Sequence, residues 1–127
     1  MSTSPISSHA LQNGLTLKFM DESRKIAADR WIVRVCVTID IPVDIKWFEE
    51  SAMDDVHFDR ITERLGENVV FRQKKERNFV SDDQKSQVVQ EICERTLEMG
   101  RGYMGRDSFA AKYILKRYAD RQQQSAL

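Results

Sequence analysis

WIVRVCVTIDIPV, residues 31–43, decides the fold. Every odd position in it is apolar (Trp31, Val33, Val35, Val37, Ile39, Ile41 and Val43), and Arg34, Thr38 and Asp40 fall between them. Side chains alternate across a strand with a period of two, so the seven apolar residues share one face. No helical wheel gathers them on one side. The β-branched content agrees with the period, and the two signals together predict one long strand with a buried face.

Upstream, residues 15–20 repeat the pattern on a smaller scale, with Leu15, Leu17 and Phe19 alternating against Thr16 and Lys18. They are the expected hairpin partner of the long strand. The connection over residues 21–30 holds charged clusters around Ile26, Ala27 and Ala28 but no Gly or Pro for a tight turn. The ladder is therefore expected to extend into it. Pro42 cannot donate to a ladder, so the far end of the strand must lie on an edge, at a bulge or outside the sheet. Residues 1–14 are Ser-rich and aperiodic and read as a flexible leader.

Downstream, residues 44–66 carry an acidic excess and then a helix over 55–65, with Asp54 or Asp55 as N-cap, Phe58, Ile61 and Leu65 on one face, and Gly66 beyond the end. Residues 68–80 predict a third strand in which Val69, Phe71 and Phe79 share a parity while Gln73, Lys75 and Arg77 form a polar middle. Such a middle suits a strand leaving the core, or an edge guarded by charge. Ser81 and Gln84 have capping-box spacing ahead of a helix over 82–99 that carries Val88, Val89, Ile92 and Leu97. Gly100, Gly102 and Gly105 should end it. Asp107 or Ser108 can cap a last helix over 107–121 with Ala110, Tyr113, Ile114 and Tyr118 as its stripe, and residues 122–127 read as a frayed tail. The order predicts one α+β domain over 15–121, an antiparallel sheet built on a long hairpin with helices packed on one face.

The totals exclude several classes. Twenty basic and twenty acidic residues cancel in the 127-residue chain, so no net field argues for nucleic acid or an anionic bilayer. No run of roughly eighteen apolar residues offers a membrane span, and no secretory signal is evident, which places the protein in the cytoplasm. Cys36 and Cys93 lack CxxC spacing and read as reduced thiols, not as a zinc or thioredoxin-type motif.

Gly100, Gly102 and Gly105 spell a literal G-x-G-x-x-G. A dinucleotide site needs a strand before the glycines, whereas helical periodicity precedes them here, so a turn between two helices is the better reading. A weaker version keeps Gly100, Arg101, Gly102, Gly105 and Arg106 as an anion or nucleotide site on backbone N–H groups near a helix start, in competition with the carboxylate of Asp107. Arg101, Gly102 and Tyr103 begin like an RNA-recognition strand, but Met104 and Gly105 break the match. The cations Arg72, Lys74, Lys75 and Arg77, and Lys112, Lys116, Arg117 and Arg121, read as solvated faces without interleaved aromatics, so no nucleic-acid partner is expected.

Glu50, Asp54 and His57 would share one side of a helix that began early, as in a carboxylate-rich metal site. The second ligand set that such a site requires is missing, and an acidic helix start is preferred. No nucleophile elbow occurs and no His lies near a Cys in sequence, so neither a catalytic role nor a cofactor is expected.

Length supplies the functional expectation. Thirteen extended residues span roughly 43 Å, whereas a domain of this size is about 36 Å across. Either the strand bends or the hairpin projects and another chain covers its apolar row. The second case predicts a non-catalytic interaction or structural module, a homodimer whose interface is Trp31, Val33, Val35, Val37, Ile39 and Ile41. The competing class is a small-ligand domain, enzymatic or not, with Trp31, Trp47 and Phe48 as pocket walls or an anion on the glycine stretch.

Overall fold

A computed structural model describes residues 3–49 and 53–126, with side chains to residue 123. Ser4–Ala10 (β1) pairs antiparallel with Thr16–Asp21 (β2). A strand therefore stands where the sequence suggests a leader. The period-two signal is missing because β1 is an edge strand of Ser, Pro and His; His9 faces Leu17 across the ladder and packs its ring edge-on to Phe19 at 5.6 Å. Backbone pairing holds this strand in place of an apolar row.

Arg24–Ala27 (β3) and β2 flank one side of Arg30–Pro42 (β4), extending the hairpin as expected, with a break at residues 22–23. Asn68–Ser81 (β5) pairs with β4 along its other side from Arg30 to Pro42. The result is a five-stranded antiparallel sheet with β4 at its centre. Pro42 ends β4, where the missing donor interrupts nothing.

Val33, Val35, Val37, Ile39 and Ile41 are each 0% exposed within the single chain. Four elements roof them: the 3-10 turn Ile45–Phe48, the helix Asp55–Leu65 (α1), Lys85–Met104 (α2) and Asp107–Ala126 (α3). Trp47, Phe48, Ile61, Leu65, Val89, Ile92, Phe109, Ala110 and Ile114 complete one core with the row. Each such aliphatic side chain contributes about 1.5–3 kcal/mol by leaving water. Trp47 and Phe48 are thus part of the core.

Of the interface expected along the odd row of β4, Val33, Val35, Val37, Ile39 and Ile41 are covered within the chain and Trp31 is half-buried. The cause is helix length. Gly100 and Gly102 lie inside α2, and α3 continues through the supposed tail, so each helix has 20 residues and spans about 30 Å, enough to match the run of about 27 Å from Val33 to Ile41.

Helix ends follow local chemistry. Asp54 caps α1 by accepting from the His57 N–H at 2.7 Å, and Gly66 (φ 82°) ends it with its N–H on the Thr62 carbonyl. The capping box expected at Ser81 is not formed. Ser81 closes β5, and only its carbonyl meets the Gln84 N–H, at 3.0 Å.

Candidate functional site

The face of β5 that continues the odd row of β4 holds Phe71, Gln73, Lys75 and Arg77, opposite Ile39, Val37, Val35 and Val33. These β5 residues stand beside the core without being roofed like it. α2 presents Ile92, Arg95, Thr96, Met99 and Tyr103 along one helical face, and α3 presents Phe109, Lys112, Tyr113 and Lys116 along another. Between the three elements lies an open cleft of about 630 Å³.

The cleft floor is aromatic. Phe71 meets Phe109 at 5.2 Å and Tyr113 at 5.4 Å, and Phe109 meets Tyr103 at 5.3 Å, all edge-to-face. Met99 and Tyr103 remain 83% and 53% exposed, so apolar surface stays in water on the α2 wall. Lys75, Arg77, Arg95, Lys112 and Lys116 ring this surface, and no carboxylate of the described residues lines it. Among the described residues none of these five cations forms an ion pair; the nearest carboxylate on β5, Glu76, is held by the Nε of Arg34 on the opposite face of the sheet. The arrangement combines apolar burial with an uncompensated positive rim.

This site escapes sequence reading because its aromatics and cations come from different elements. Phe71 and Lys75 share a strand, but Tyr103 arrives from α2 and Tyr113 from α3. One signal was present: the polar middle of β5 marks where the helices leave the strand open.

The glycine stretch expected as an anion site is engaged within the chain. Gly100 and Gly102 are inside α2, the Gly105 N–H meets the Arg101 carbonyl at 3.0 Å, and the Arg106 N–H meets that of Tyr103 at 3.2 Å. Arg101 reaches the Ala10 carbonyl, and the Asn13 amide donates to the carbonyls of Met104 and Arg106. At Gly105 a Cβ would lie 3.0 Å from the Arg101 carbonyl oxygen and 3.3 Å from the Gln12 nitrogen. The stretch closes the α2–α3 turn against the β1–β2 turn, and Gly100, Tyr103 and Met104 contribute to the cleft.

Trp31 is also satisfied locally. Its Nε1 donates to Asp82 at 2.6 Å, and the Lys85 ammonium lies 4.7 Å from its ring centre. Lys85 bonds Asp21 at 3.1 Å. Burial alone would raise the Asp21 pKa, but hydrogen bonds from Ser23 and Lys85, with the Lys85 charge, outweigh it and hold the carboxyl below its ordinary value.

Burial pushes both thiols up, that of Cys36 with help from Glu22 and that of Cys93 with help from Asp21 and Glu94, so neither is activated as a nucleophile. Glu50 lies outside the described residues. Asp54 serves as a cap, and the His57 ring packs edge-on to Tyr118. Among the described residues no group of three His, Cys, Asp or Glu side chains could hold a metal, and no helix is long and apolar enough to cross a membrane.

No protein-family model, curated protein or solved structure matches the chain.

Proposed function

We propose that the protein is a non-catalytic interaction module that binds an acidic, amphipathic segment of another protein in the cleft between β5, α2 and α3. The observation that carries this reading is the ring of five cations without a carboxylate around exposed Met99 and Tyr103. An acidic segment neutralises the rim while its apolar side chains cover the floor. A single strand of RNA fits less well, because Phe71, Phe109 and Tyr113 turn their edges to one another and only Tyr103 stands well exposed for stacking. Two free, buried thiols accord with a reducing compartment, and the proposal places the module in the cytoplasm.

The test uses two labelled acidic peptides, one alternating Glu with Val and one carrying Glu and Leu at helical spacing, with a Lys–Val peptide and oligouridylate as controls. Fluorescence anisotropy should show at least one acidic peptide binding at low salt. The Lys112→Glu, Lys116→Glu double variant should weaken it by about tenfold or more. Both residues are exposed, so the fold is retained. Failure of both acidic peptides, or tighter binding of oligouridylate, would overturn the reading.

A further inference from the structure

The outer side of β5 bears no strand among the described residues: β2 and β3 both lie across β4 from it. Its middle is exposed except for Lys75, which is half-buried. Resting on the binding function proposed above, we infer that the acidic segment binds as an added strand along this edge, between Arg72 and Arg77, and sends alternate side chains into the cleft.

The usable edge has two physical ends. At the start of β5 the Tyr113 hydroxyl donates to the Val70 carbonyl at 2.9 Å, so α3 already occupies that position. At the far end the register slips between Trp31 and Val33, and Phe79 adopts φ 57° with 74% of its surface exposed. Such a bulge bends the strand, so an added strand on the outer edge cannot run straight past it, although the pairing with β4 resumes at Val80 and Ser81. What remains is residues 72–77, about 20 Å of strand. The Glu76 carbonyl on this edge accepts from the Arg77 guanidinium at 3.0 Å; the other outward N–H and C=O groups can be paired by a peptide backbone and not by a helix in the groove.

Charge selects the partner. Lys75 and Arg77 lie on the cleft face, Arg72 and Lys74 on the other, and Glu76 is engaged by Arg34, so an added strand meets cations on both of its faces. A second copy is a poor occupant. A two-fold pairing of β5 with itself, centred on any residue from Gln73 to Glu76, sets at least one cation directly opposite another: Arg72 on Lys74, Lys74 on Lys74, Lys75 on Lys75, or Lys75 on Arg77. Like charges directly opposite destabilise a ladder.

Amide hydrogen exchange of the full chain, with and without the alternating Glu–Val peptide, tests the mode. Exchange at the outward amides of residues 72–77 should slow by about tenfold or more on binding. Methylating alternate backbone nitrogens of the peptide, in the phase that faces β5, should weaken it by about tenfold or more, because main-chain hydrogen bonds are lost while every side chain stays. Two results overturn strand addition and leave the binding function standing: the helical peptide binds and the alternating one does not, or the alternating peptide binds with β5 exchange unchanged and methylation harmless. If neither peptide binds, both readings fall. Slowed exchange in β5 that grows with protein concentration without peptide would identify a second copy as the occupant and overturn the inference.

Discussion

Tyr113 on α3 donates its hydroxyl to the backbone carbonyl of Val70 on β5, 2.9 Å away, and so ties the last helix to the strand edge beside the cleft. The bond fixes the wall that carries Lys112 and Lys116 relative to the wall that carries Lys75. Tyr113→Phe keeps the ring contact with Phe71 and removes only this bond. Urea unfolding should show a loss of about 0.5–1.5 kcal/mol with an unchanged m-value.

The odd row of β4 belongs to the interior of one chain. Ile39→Ala should cost about 2–5 kcal/mol by leaving a cavity in the core. Thr38→Ala, one residue away on the open face, should stay within about 0.5 kcal/mol. Ile39→Asp should yield unfolded protein by circular dichroism; a well-folded monomer instead would mean that the row had served an interface.

Asp21 and Lys85 join the ends of β2 and α2. The folded pKa of Asp21 lies below its unfolded value, so the stability it contributes is present above the unfolded pKa of about 3.9 and is lost as pH falls through the lower folded value. Asp21→Asn should therefore lower the urea midpoint at pH 7 and narrow its difference from wild type as pH falls below about 4. A difference independent of pH would show that the ionised carboxylate contributes nothing.

Two glycines of the same motif should respond in opposite directions. Gly102 lies within α2 and a Cβ there meets nothing within 4 Å, so Gly102→Ala should raise stability by about 0.5–1 kcal/mol through helix propensity. Gly105→Ala must displace the Arg101 carbonyl or the Gln12 backbone and should destabilise. Thermal melts of the pair separate packing from ligand binding as the reason for the glycines, since an anion loop would not gain from alanine at Gly102.

The sequence by itself determined the local structure wherever side-chain pattern and backbone geometry coincide. The parity of Val33 to Ile41 specified a strand, Asp54 and Gly66 bracketed α1 by capping, and the polar middle of Gln73, Lys75 and Arg77 marked an exposed part of β5. It fell short where stability comes from partners distant along the chain. The ladder to β2 orders Ser4–Ala10 although its residues show no apolar period, and Asn13 with the β1–β2 turn secures an α2 that runs through two glycines. Only the tertiary structure decided what covers the long strand and where the cleft lies. Twenty-residue helices roof the odd row of β4, stop short of the middle of β5, and so bring Phe71, Tyr103, Phe109 and Tyr113 among five cations that the linear order keeps apart.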